Sequence, residues 1–352
     1  MKKNIVLADC VTDEVASLLN GLNKETDLNF ECKSIIANWG SRGIFNVIKR
    51  YLMYFYITFL YFLKRDQYDY ILGWQQFYAL VFCFWCRIFR TKKKNKVVVI
   101  NFTYKQKSGF SGRIYKWFMK TCLSGDYINF IHVPSQNYAN QCSRDFNIPL
   151  SKFIVTTFGI NDMYGQWKDS EKPEKIKSTD YVLAIGRSNR DYNFLLHSWQ
   201  GINETLVIIS DTFKPKVLPD NVLLIDDITG DGQYPFIINS KAVILPIDDG
   251  RICSGDTVLL TSMSFKKIII VTKPSTLSEM YIKDGENGLL ITKDKSSVHK
   301  VISDIFYTDK YNYIGENARN SFLTNFSREK MGRVIGQAII CLLYTSDAAD
   351  EL

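Results

Sequence analysis

Twelve short runs rich in Val, Ile and Leu recur along the chain, separated by stretches long enough to form helices. In the first half they are NIVLAD (4–9), NFECKSII (29–36), YDYILGW (68–74), KVVVINF (96–102), YINFIHV (127–133) and KFIVTTF (152–158). In the second half they are YVLAIG (181–186), TLVIIS (205–210), NVLLID (221–226), AVILPI (242–247), KIIIVT (267–272) and GLLIT (288–292). A strand with one wet face alternates apolar and polar residues, whereas a run that is apolar throughout is covered on both faces. Strands of that kind joined by helices make parallel sheets with helices above and below, so each half is expected to be α/β and doubly wound. The 352 residues suit two such domains. The expected organisation is a Rossmann-like domain over 1–160, a linker over 161–180 centred on the polar KDSEKPEKIKSTD (168–180), and a second Rossmann-like domain over 181–340, the two facing a cleft.

Seven of the eight cysteines, Cys10, Cys32, Cys83, Cys86, Cys122, Cys142 and Cys253, show neither a disulfide framework nor zinc-ligand spacing. With no cleavable signal pattern ahead of NIVLAD, a reducing cytoplasm is the expected compartment. The CFWC pair (83–86) lies in an apolar helical run and reads as core rather than as a redox motif. CLLYTSDAADEL (341–352) resembles a translated sequencing adapter and breaks the pattern before it, so it is set apart from the fold as an expected artefact. The three histidines, His132, His197 and His299, lack ligand spacing, and no metal is expected.

Two segments leave a strand through a polar turn into a helix. RICSGDTV (251–258) follows AVILPI, and its Ser254, Gly255 and Thr257 suit either an ordinary capped helix or an anion site made of helix N–H groups. AIGRSNRDYNFLL (184–196) places Gly186, Arg187, Ser188 and Arg190 at the end of YVLAIG. Those arginines are either solvated and paired with Asp191 or aimed at phosphate. Two helix N-termini and two arginines directed at one cleft look like a diphosphate cradle.

These segments, together with IPLSKFIVTTFGIN (148–161), DDI (226–228), SGDTVLLTSMSFKKIIIVT, DGENGLLI and NARNSFLTNFS, resemble the nucleotide-sugar glycosyltransferases of the GT-B fold, and most nearly retaining family four. The resemblance covers most of 150–327. It implies that Arg187 and Arg190 serve catalysis by binding the donor diphosphate. Asp226, Asp227 and Ile228 would meet the nucleotide base, and Ser254, Gly255 and Thr257 would lie under the phosphates. Gly186 and Ser188 complete the donor turn. The donor implied is a UDP- or GDP-linked sugar, with no other cofactor and retention at the anomeric carbon. The family's two glutamates, eight positions apart, fall here on Cys253 and Thr261. Thr261 retains a hydroxyl for a ribose, but a neutral bond is worth about 1 kcal/mol against roughly 1.5–3 for one to a charged group.

Charge divides the halves. Residues 1–160 hold 22 Lys and Arg against 10 Asp and Glu, net +12, and residues 161–352 hold 22 against 26, net −4. IFNVIKRYLMYFYITFLYFLKR (44–65) and FYALVFCFWCRIFR (77–90) are aromatic, base-flanked and too short to span a bilayer, and each is either core or an interfacial surface on anionic lipid. No base-stacking module for nucleic acid accompanies the charge. His132 is either a structural histidine or an acceptor contact. The expected activity is glycosyl transfer to a lipid-linked or surface-polysaccharide acceptor, in the cytoplasm at the inner membrane face. The alternative is a GT-B binding or regulatory protein that holds a sugar nucleotide without turnover. An epimerase on the same architecture lacks its expected acidic and histidine set.

Overall fold

The computed structural model describes residues 2–35, 44–104, 107–176, 179–252 and 254–350, with the side chains of 44 and 342–350 left aside. All twelve apolar runs contain a strand. The chain forms two compact units, residues 1–158 with 328–352, and residues 159–327.

Unit one runs β1 (Lys3–Ala8), α1 (Thr12–Thr26), β2 (Phe30–Ser34), α2 (Ile44–Leu63), β3 (Tyr68–Gly73), α3 (Gln76–Ile88), β4 (Lys96–Val99), α4 (Gly109–Leu123), β5 (Ile128–Val133), α5 (Gln136–Phe146) and β6 (Phe153–Val155). Its parallel sheet has the order β2-β1-β3-β4-β5-β6. Unit two begins with α6 (Tyr164–Trp167), β7 (Tyr181–Ile185), α7 (Tyr192–Trp199), β8 (Thr205–Ile209), β9 (Val222–Ile225), α8 (Tyr234–Ile238) and β10 (Ala242–Leu245). It continues with α9 (Asp256–Ser264), β11 (Ile268–Thr272), α10 (Thr276–Tyr281), β12 (Leu289–Ile291), α11 (Lys295–Tyr307) and α12 (Ile314–Ser321). Its sheet is also parallel, in the order β12-β11-β10-β7-β8-β9. Central strands such as β7 and β11 are buried along their whole length, as continuous apolar runs require.

The chain does not divide at the expected borders. Residues 161–176 and 179–180 belong to unit two rather than to a free linker, and Asn239 Nδ2 donates to Ser170 O at 3.1 Å from within that unit. The last helix, α13 (Arg328–Asp350), returns to unit one. There Met331, Ile335 and Ile339 are buried with Val15, Leu18 and Leu22 of α1. The two helices cross at glycines: a Cβ on Gly332 would stand 2.2 Å from Leu18 O, and one on Gly21 would stand 2.0 Å from Glu329 O. The amphipathic pattern of 328–340 shows that the helix has a buried face but not which sheet that face meets.

The two aromatic helices of unit one separate in role. From Gln76 to Cys83, and again at Cys86, α3 is buried, so it is core. The Cys83 and Cys86 thiols are pushed up by burial, as core cysteines should be. By contrast α2 buries Tyr54, Thr58 and Phe62 but exposes Phe45 (85%), Ile48, Leu52 (65%), Tyr56 and Leu63 along one stripe. A second stripe lies on α4, where Phe110 (77%), Ile114 and Trp117 (58%) are exposed at helical spacing. Phe55 of α2 meets Phe84 of α3 and Phe118 of α4, at centroid distances of 5.6 and 5.8 Å, so the three helices form one layer. Among the described residues, no helix is long and apolar enough to cross a membrane.

Candidate functional site

In unit two, β7 lies between β10 and β8. The crossover to β8 and the later return to β10 diverge at the carboxyl ends of β7 and β10. An open parallel sheet leaves a ligand crevice at such a point. Both candidate turns are located there. Gly186–Arg190 joins β7 to α7, and residues 246–255 join β10 to α9.

The two turns are joined by backbone and side chain. Asp191 N donates to Pro246 O at 2.7 Å and Asp248 N to Asn189 O at 3.3 Å. Asn189, in the left-handed region at φ 56, donates from Nδ2 to Asp249 O at 3.0 Å and to Ile252 O at 3.3 Å, and its Oδ1 accepts from Asp249 N at 2.8 Å. Ser188 Oγ and Ser254 Oγ stand 3.4 Å apart.

Within the first turn the carbonyl groups are consumed. Ile185 O accepts from Arg190 Nε (3.2 Å), Gly186 O from Tyr192 Oη (2.7 Å), Arg187 O from Thr212 Oγ1 (2.7 Å), and Ser188 O from Arg190 Nη1 (3.2 Å). Among the described residues, the backbone N–H groups of Arg187, Ser188 and Asn189 donate to none. A turn with its carbonyls engaged and successive N–H groups unengaged is a concavity suited to an anion. The first N–H groups of α9 add to it, because no intrahelical carbonyl precedes them.

Arg187 is about half exposed and grips Asp211, Nε to Oδ1 at 2.8 Å and Nη2 to Oδ2 at 2.7 Å. Its carboxylate is therefore Asp211, not Asp191. Asp191 instead caps α7 by accepting from Phe194 N at 3.0 Å and pairs with Lys293 Nζ at 3.0 Å. Among the described residues, it pairs with neither arginine. Lys293 also donates to Asp248 O at 3.1 Å, tying the β12–α11 connection to both turns; nothing in its local sequence marks it for that role. Arg190 is directed into the protein, with Nη1 also 3.4 Å from Ser254 O, and burial lowers its pKa.

Of the second turn, Gly255 is the N-cap of α9 at φ 104, with no side-chain cap. Ser254 therefore does not supply the side-chain cap of an ordinary capped helix, and its Oγ faces Ser188 instead. Thr257 is exposed in the first turn of α9, Asp256 precedes it, and Thr261 is buried one turn on. Cys253 lies outside the described residues. Asp226, Asp227 and Ile228 follow the edge strand β9, about 10 Å from β7 at two strand spacings. Asp226 pairs there with Lys214, and Asp227 lies 3.7 Å from Lys175 Nζ.

In unit one, His132 is fully engaged. Its Nδ1 accepts from Asn101 N at 3.1 Å and its Nε2 donates to Thr156 O at 2.9 Å, which fixes one neutral tautomer. Burial pulls its pKa down to about 4. No ring nitrogen is left for an acceptor, so His132 ties the ends of β4, β5 and β6 and is withdrawn as a contact. Asp9, just after β1, accepts from Tyr54 Oη at 3.1 Å.

No family model and no curated relative matches the chain by sequence. Solved structures do match it. A sucrose-phosphate synthase from Thermosynechococcus elongatus shares 14% identity over 98% of this chain and 100% of its own, with a TM-score of 0.63. Anabaena HepE in complex with UDP shares 13% over 96% and 100%, with a TM-score of 0.60. A glycosyltransferase from Rickettsia africae shares 15% over 94% and 96%, with a TM-score of 0.58. The fold is GT-B. HepE has also been solved with UDP-glucose.

Proposed function

We propose that the protein is a glycosyltransferase that takes a sugar from a UDP- or GDP-linked donor and passes it, with retention, to a lipid-linked or surface-polysaccharide acceptor. The observation that carries this is the polarised turn at the β7/β10 switch point, whose three successive backbone N–H groups have no acceptor among the described residues, beside Arg187 and the start of α9. Departure of a nucleoside diphosphate builds charge on its terminal phosphate. Fixed N–H dipoles and a cation aimed at that charge stabilise the transition state without reorganising, and the reading invokes no metal. The UDP and UDP-glucose complexes of HepE support a sugar nucleotide as the ligand class.

The membrane face assigned to this reading is formed by α2 and α4, not by α3. Their exposed stripes are bordered by Lys49 and Lys64 on α2 and the turn after it, and by Arg113, Lys116 and Lys120 on α4. Apolar insertion beside cations suits anionic lipid at the inner membrane face.

One observation favours a second reading. Thr261, at the position where the resemblance implies a ribose-binding glutamate, is neutral and buried. A protein that holds the nucleotide without turnover fits that. Incubation with a panel of UDP- and GDP-sugars, with and without a lipid-linked glycan acceptor, separates the two. Acceptor-dependent release of nucleoside diphosphate supports transfer, and saturable binding without release supports the second reading.

A further inference from the structure

Arg190 has the residue type and the loop position of a phosphate ligand, but its guanidinium is turned away from that task. It donates to Ile185 O, Ser188 O and Asn189 O in its own turn and to Ser254 O in the facing one. It also fills the space that two glycines leave. A Cβ on Gly186 would lie 2.9 Å from Nε, and one on Gly255 would lie 2.3 Å from Nη2. Among the described residues it pairs with no carboxylate, and Asp256 acts on its charge only from a distance. A buried guanidinium is stable here because backbone carbonyls take its donors.

The geometry points to Arg190 as a positioning residue for the diphosphate rather than a ligand of it. A peptide plane is rigid, so a carbonyl drawn toward Arg190 turns the N–H on the far side of that plane the opposite way. By holding Ser188 O, the guanidinium turns the Asn189 N–H the opposite way, as Tyr192 on Gly186 O and Thr212 on Arg187 O do for the Arg187 and Ser188 N–H groups, while the Gly186 N–H after Ile185 O stays with Ile209 O in the sheet. By holding Ser254 O as well, it fixes the peptide plane of the Gly255 N–H at the start of α9 beside the first turn. This inference rests on the donor-site reading above.

The fork matters for this role as much as the charge. Lysine carries the charge but cannot reach carbonyls of two turns from one planar group. The test measures the affinities of UDP and GDP and of their nucleosides, uridine and guanosine, for the wild type, Arg190→Lys and Arg190→Met. The nucleoside serves as the control for a folded site. Positioning by the fork predicts that Arg190→Lys loses diphosphate affinity by about tenfold or more, as Arg190→Met does, while nucleoside affinity changes little. Recovery of diphosphate affinity by lysine to within about threefold would make Arg190 a direct ligand and overturn the proposal. Equal loss for nucleoside and diphosphate would make it a general structural residue and overturn it too. A wild type that binds neither nucleoside diphosphate better than its nucleoside removes the donor-site reading itself, a failure distinct from either.

Discussion

The guanidinium of Arg190 rests against the backbone of Gly255, so close that a β-carbon on Gly255 would stand 2.3 Å from Nη2, and Gly255 itself holds φ 104. An L-residue at 255 therefore meets two obstacles, the dihedral and the arginine. Gly255→Ala should cost about 1–3 kcal/mol of stability and separate the two turns, lowering nucleoside diphosphate affinity about tenfold or more. Calorimetric titration with UDP and GDP, alongside denaturant unfolding, measures both. Affinity preserved in Gly255→Ala would show that the close contact is dispensable.

Arg187 differs from Arg190 in being held at the surface by Asp211. Arg187→Ala should weaken diphosphate binding by about 1.5–3 kcal/mol, the range of charge-assisted hydrogen bonds. Asp211→Asn should weaken it less, because the cation survives and only its orientation relaxes. Titration of the two variants checks the order.

His132 is neutral in the folded protein, with its pKa pulled down to about 4 by burial, against about 6.5 when unfolded. Its contribution to stability is therefore fully present above about pH 6.5 and is lost as pH falls toward 4, since the unfolded state binds the proton first. The slope approaches about 1.4 kcal/mol per pH unit within that window. Urea unfolding from pH 7 to 4 should show this component in the wild type and not in His132→Gln. Parallel curves for the two proteins would contradict it.

On the proposed membrane face, Leu52→Glu together with Trp117→Glu should release the protein from anionic vesicles without changing nucleotide affinity. The charge component of wild-type binding should fade as the Debye length falls from about 10 Å at 0.1 M salt to about 3 Å at 1 M, while the apolar component persists. Sedimentation with vesicles at both salt levels reads this, and a wild type that stays in the supernatant at low salt contradicts the assignment.

The sheets were legible in the sequence because strands covered on both faces, such as AVILPI and KIIIVT, have no polar residue to interrupt them. The surface helices were harder. FYALVFCFWCRIF reads the same whether it is core or interface, and only packing shows that α3 is enclosed. The stripe on α4 was passed over, although Phe110, Ile114 and Trp117 recur at i, i+4 and i+7 with Arg113, Lys116 and Lys120 beside them. For the site, sequence marks Gly186, Arg187, Arg190 and Gly255 as chemically suitable. Which side of a turn a guanidinium occupies, and that Asp211 and Lys293 come from distant connections to complete it, depends on the tertiary fold.

The central claim is that the N–H groups of Arg187, Ser188 and Asn189 hold the phosphates of a sugar nucleotide. Amide hydrogen exchange resolved to these residues, with and without saturating UDP-sugar or GDP-sugar, tests it most directly. The expected result is slowed exchange at 187–189 and in the first turn of α9 with a donor that binds, and no slowing with the corresponding nucleoside. Unchanged exchange at 187–189 in the presence of either donor class at saturating concentration would contradict the claim.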